Sequence, residues 1–148
     1  MTHPVFAVPA ALQALAAYSR AGEDLGLPAE TIELVHLRAS QINGCSVCVE
    51  LHSNGLRKQG ASDERIFAVA AWRDAPYFTD AERAALELTE TVTRVADRGD
   101  PVPDEVWERA SAHYDEQGLS ALLIAITAVN VWNRLNAATR QVAGAWRP

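Results

Sequence analysis

Apolar residues recur along most of this chain at intervals of three and four, and strand-like alternation is essentially absent. The pattern predicts an all-α fold of about seven helices, with limits set by the breakers and caps between them. A first helix is expected from near Ala10 to Ala21, after a short leading loop. Pro28, well placed at a first helical position, and Glu30 in the first turn open a second, running to about Ile42. Asn43-Gly44 breaks it, and a third is expected from about Cys45 to Gly60. Ser62 can cap a fourth that reaches Trp72, with Asp63 and Glu64 favourable at its positive end. After a loop containing Pro76, Thr79 and Glu82 have capping-box spacing at the head of a fifth helix ending near Gly99. Asp100-Pro101-Val102-Pro103 is a rigid connector. A sixth helix over Asp104 to Gln117 and a seventh over about Leu119 to Val142 follow, separated by Gly118.

The seventh helix is apolar on nearly every side, through Leu122, Leu123, Ile124, Ile126, Val129, Val131, Trp132 and Leu135. Such a helix is normally surrounded by protein, and here part of that cover is expected from a second subunit. Its uncharged run, Leu119 to Asn133, is shorter than a membrane span, so no membrane association is expected. The 148 residues have the length of a single domain, 1–148. A hydrophobic share of 49% against 22% charged residues rules out a disordered chain. Net charge −6, without any basic cluster interleaved with aromatics, argues against a nucleic-acid partner. The opening stretch MTHPVFAVPAALQALAAYSR lacks a basic lead-in and does not read as a signal peptide, so a cytoplasmic location is expected.

Chemistry concentrates in ELVHLRASQINGCSVCVELHSNGL. The only two cysteines stand three apart, which points to a redox or metal role rather than a secreted disulfide framework. On a helix, Cys45, Cys48 and His52 fall within a ~60° arc and can share one pocket. The thiolate is the reactive species. A helix N-terminus near Gly44 favours Cys45 as the more acidic thiol, whereas His52, one turn beyond Cys48, can take the proton of Cys48. Glu33 on the preceding helix can orient that imidazole. Zinc is the competing use of Cys45, Cys48 and His52, with a fourth ligand from His36, His113 or Glu33. With neither a second CxxC nor an H-x-x-x-H pair, no metal is expected. A thioredoxin fold is disfavoured because no βαβ pattern flanks the cysteines. His36 is expected as a surface neighbour of Glu33, and Arg134 as a partner of Glu33 or of a subunit interface.

The order Glu33, Cys45, Cys48, His52 within SQINGCSVCVELHSNGLRKQG resembles the carboxymuconolactone decarboxylase superfamily, in its AhpD-like alkylhydroperoxidase branch. The resemblance continues through the Trp72 segment, TDAERAALELTE and VNVWNRLNAATRQ, from about Glu30 to Gln141. It implies an AhpD-like helical bundle, assembled as a homo-oligomer (trimer or hexamer), that reduces hydroperoxides without a cofactor. It also implies a dithiol or lipoyl-type electron donor. By the same resemblance Cys48 attacks the peroxide, Cys45 resolves the sulfenic acid, and Glu33 and His52 form the proton relay. Some members carry a further His between the cysteines, where this chain has Val47, which implies a shorter relay. The reaction that names the superfamily is not expected, because its enzymes do not depend on a CxxC pair. The alternative reading is a redox-sensing or scaffolding oligomer whose dithiol switches without fast turnover.

Overall fold

The computed structural model describes residues 3–23 and 25–144, and all regular structure among them is helical. Eight α-helices follow one another: α1 Pro4–Ala7, α2 Pro9–Glu23, α3 Ala29–Asn43, α4 Ser46–Lys58, α5 Asp63–Ala68, α6 Asp80–Thr93, α7 Asp104–Ser111 and α8 Glu116–Ala138. Short 3-10 turns at Val69–Ala71 and Val95–Asp97 extend α5 and α6.

Local chemistry explains most of these limits. Ser62 caps α5 by accepting the Arg65 N–H, and both halves of the Thr79–Glu82 capping box are formed at α6. Several expected limits are corrected. The leading segment is a short helix rather than a loop, because the His3 side chain accepts the Val5 N–H and Pro4 suits a first turn. Pro28 is the residue before α3, not its first position. Gly118 does not separate two helices. Asp115 caps α8 instead, accepting the Gly118 N–H at 2.8 Å, so the glycine lies inside the first turn and α7 stops at Ser111. One side-chain cap contributes about as much as the roughly 1 kcal/mol helix penalty of a glycine. The seventh expected helix also ends early, at Ala138 rather than Val142.

Helix α3 packs against α4, α6 and α8. Its adjacent residues Leu34 and Val35 point into different parts of the core. Val35 joins Leu88, Leu122 and Ile126, while Leu34 and Leu37 join Leu56, Trp72 and Leu86. Burial of each such side chain stabilises the fold by about 1.5–3 kcal/mol. Helix α8 is long and apolar enough to cross a membrane by length and composition, but 56% of its most apolar window is buried inside the fold.

That helix also carries an inward polar stripe, which corrects its reading as apolar all round. Asn130, Asn133 and Asn136 recur every three residues and are all buried. Asn43 donates to the side-chain oxygens of Asn130 and Asn133, both at 2.9 Å. Asn133 donates to Ser40 Oγ at 3.0 Å, and Asn130 to Thr93 Oγ1 at 3.1 Å. The stripe thereby joins α8 to α3 and α6 with its amides satisfied. Arg134 bonds back to the oxygens of Asn130 on its own helix, not to Glu33.

Glu90 on α6 is a second buried polar centre, only 8% exposed. It accepts from Arg38 Nε at 2.8 Å, Trp72 Nε1 at 2.9 Å and Arg73 Nη1 at 2.8 Å. Burial alone would raise its pKa. The bonds from Trp72, Arg73 and Arg38 together outweigh burial and hold the carboxyl below its usual value.

Candidate functional site

The α3–α4 turn builds the site. Gly44 ends α3 in the left-handed region at φ 67°, where a glycine carries no Cβ penalty. The Cys45 N–H then returns to Ser40 O at 3.1 Å. Cys45 is consequently the N-cap of α4 rather than part of the helix, with extended backbone and its Sγ accepting the Cys48 N–H at 3.3 Å. The expected shared helix face is therefore replaced by a cap and a first turn. The Cα atoms are 5.3 Å apart, within the usual disulfide range, and the two sulfurs are bonded. Both cysteines are buried.

Glu33 on α3 and His52 on α4 meet at 2.8 Å, Oε2 to Nδ1. Gly55 makes room for that approach. A Cβ there would stand 2.5 Å from Glu33 Cδ and 2.6 Å from each carboxylate oxygen. His36, expected on the surface, instead turns inward. Its ring centroid lies 4.7 Å from that of His52, and its Nε2 is buried without a hydrogen-bond partner among the described residues. Burial first, and His52 nearby second, lower its pKa to about 3 against an opposing Ala125 backbone hydrogen bond, so the ring is neutral at pH 7.

A cavity of about 230 Å³ gathers these groups. Cys48, His52, His36 and Asn136 line it together with Val47, Leu51, Val129 and Trp132. Asn136 Nδ2 donates to Cys48 Sγ at 3.3 Å. Asn136 is not among the sequence candidates, and His36 enters there only as a spare zinc ligand or a surface neighbour. The three-residue spacing of Asn130, Asn133 and Asn136 is the signal that would have marked the first. For His36 the signal was its position one turn after Glu33. His113, offered as a zinc ligand, lines a separate groove with Trp72 and Arg83.

Residues 7–91, a span that holds Glu33, Cys45, Cys48 and His52, match the carboxymuconolactone decarboxylase family. The chain belongs to that family. It is 39% identical to the uncharacterized protein YdfG of Bacillus subtilis, over 73% of this chain and 72% of that one. It is 35% identical to the uncharacterized protein YnjA of Escherichia coli, over 71% of this chain but only 56% of YnjA. A solved structure from Agrobacterium tumefaciens, a protein of unknown function for which an AhpD antioxidant defence role has been suggested, superposes with a TM-score of 0.87. It shares 35% identity and 94% coverage of both chains, so this family member has the AhpD-like all-helical architecture. The debrominase Bmp8, bound to 2,3,4-tribromopyrrole, shares the fold at 18% identity and a TM-score of 0.79, over 95% of this chain and 75% of its own.

Proposed function

We propose that this family member is a thiol-dependent peroxidase working through a Cys45–Cys48 dithiol–disulfide cycle. One observation carries the reading: Cys48, bonded to Cys45, opens on the same cavity as a His52 held at Nδ1 by Glu33. In the reduced protein, Glu33 accepts the Nδ1 proton of His52 and leaves Nε2 free to take the proton of Cys48. The Asn136 amide, 3.3 Å from Cys48 Sγ, supports the thiolate. Each sulfur has one N–H donor, Cys45 from the helix start and Cys48 from Asn136, so the helix terminus alone does not choose the nucleophile. His52 tips the balance to Cys48.

The Cys48 thiolate attacks the terminal oxygen of a hydroperoxide. The O–O bond breaks, the departing alkoxide takes the proton from His52, and a sulfenic acid and an alcohol result. Cys45 then attacks the Cys48 sulfur and expels water, forming the disulfide. A dithiol or lipoyl-type donor returns both thiols by exchange and is itself oxidised. Leu51, Val129 and Trp132 offer the organic group of the peroxide an apolar wall.

Titration of the reduced protein with one equivalent of peroxide should consume two thiols per chain. Cys45→Ser should still consume one peroxide and trap a sulfenic acid, whereas Cys48→Ser should react at least about 10³-fold more slowly. The reverse pattern would make Cys45 the nucleophile. Stoichiometric oxidation without turnover, across a panel of dithiol donors, would replace the peroxidase with a redox switch.

We also infer a homo-oligomer, a trimer or hexamer, supported by the exposure of Leu51 and Val131, 51% and 43%, around the cavity-lining segments. Light scattering that gave 16.0 kDa at micromolar concentration would overturn it.

A further inference from the structure

We propose that Glu33, His36 and His52 form a binding site for a divalent transition-metal ion of the zinc class, separate from the cysteine pair. One ligating atom from each of the three residues lies within 4.8 Å of the other two. Two imidazoles and a carboxylate are a donor set that zinc and its first-row neighbours accept. Bonds of about 2.0–2.2 Å in a tetrahedral site put ligand atoms roughly 3.3–3.6 Å apart, so side-chain rotations that move ligand atoms by about an ångström close the set.

A second observation points the same way. His36 Nε2 is sealed from solvent with no hydrogen-bond partner among the described residues. The relay uses Glu33 and His52 and leaves His36 without a task. A buried imidazole nitrogen left without a well-formed hydrogen bond is normally a cost, which coordination to a cation offsets.

The scaffold suits the role. Glu33 and His36 stand three residues apart on α3 and so share one face, while His52 comes across from α4 where Gly55 allows close packing. Three protein ligands leave further positions to water from the adjoining cavity. The ion and the proton between Glu33 and His52 would compete for the same two side chains. A bound ion therefore displaces that proton to solvent or to the other ring nitrogen. The cation site is defined by binding and does not require peroxidase turnover.

The test uses the full chain in its disulfide form, where neither sulfur is a free thiolate. Calorimetric titration with zinc chloride should give one ion per chain. Cobalt(II) in its place should give a visible spectrum free of thiolate charge-transfer bands, as nitrogen and oxygen ligands require. His36→Gln and Glu33→Gln should each weaken zinc binding at least about tenfold, while His113→Gln, in a separate groove, leaves it unchanged. Should His36→Gln not fold, Glu33→Gln tests the site in its place. Absence of saturable binding, or wild-type affinity in a folded His36→Gln or Glu33→Gln variant, would overturn the site. So would a loss of binding caused by His113→Gln.

Discussion

Glu33 and Glu90 both carry a carboxylate into the helical assembly, one on α3 and one on α6, and they are partnered in opposite ways. Glu90, with a side chain 9% exposed, is hydrogen-bonded by two guanidinium groups and an indole N–H, with the Arg94 guanidinium a third at 3.7 Å. Glu33, 26% exposed, has the His52 imidazole as its hydrogen-bond partner beside an open cavity. A guanidinium keeps its proton at any ordinary pH, so the Glu90 cluster is electrically fixed. His52, the partner of Glu33, instead lines the cavity together with Cys48. The number of partners matters less than what those partners face. By that criterion Glu90 belongs to the architecture, and Glu33 is the carboxylate placed for the proposed relay.

The largest effect that can break this contrast is on rate. Glu33→Gln should lower peroxide reduction near neutral pH by about 10²–10⁴-fold, the usual cost of losing positioned proton transfer, while leaving thiol count and fold intact. Part of the rate should return at alkaline pH, where the Cys48 thiolate forms without help. His52→Gln should behave alike, and the double variant should be little worse than either single one. Stopped-flow rates across a pH series decide this; a wild-type profile in Glu33→Gln would remove Glu33 from the relay.

Glu90→Gln should do the reverse. Losing the charge opposite Arg38 and Arg73 should cost roughly 3 kcal/mol in a urea melt, with the rate per folded molecule kept. The pH dependence follows from linkage. The folded carboxyl lies below its ordinary value of 4.5, so the unfolded chain takes up the proton first as pH falls. Its contribution is therefore complete above pH 4.5 and is lost as pH drops from there toward the lowered folded value. The variant's stability should accordingly vary less with pH in that range. An equally steep acid limb would show that another group sets it.

How much of this was legible in the sequence depended on the range of the signal. Ser62 and the Thr79–Glu82 pair act within one turn, and both caps appear where the residues announced them. Cys45, Cys48 and His52 follow one another within about two turns and were legible at similar range, whereas Glu33, on the preceding helix, meets His52 across the α3–α4 contact. The roles of His36, Asn136 and Glu90 stayed hidden because each depends on a neighbouring helix. Asn136 reads as an interruption of an apolar segment until α4 sets Cys48 against it. His36 reads as a surface residue until His52 arrives 4.7 Å away. Gly118 was misread for a different reason: a glycine looks like a breaker, but Asp115 three residues earlier supplies the cap that absorbs it.

Gly55→Ala carries the smallest expected effect and the sharpest reading. In the middle of α4 an alanine is favoured over glycine by roughly 1 kcal/mol, so helix propensity alone predicts a slightly more stable protein. The new Cβ, however, would lie 2.5 Å from Glu33 Cδ, closer than any real contact. What it meets is the far end of a flexible side chain, so Glu33 can swing away at little cost to the fold. The hydrogen bond to His52 is then weakened with both residues still present. Melting should stay within about 1 kcal/mol of wild type or rise, while the peroxide rate falls by about tenfold and its pH profile shifts toward that of Glu33→Gln. Combined with Glu33→Gln, the alanine should add almost nothing to the rate loss, because the contact it disrupts is already gone. A rate drop that adds fully to the Glu33→Gln loss would mean that Gly55 acts through the backbone of α4 and not through Glu33.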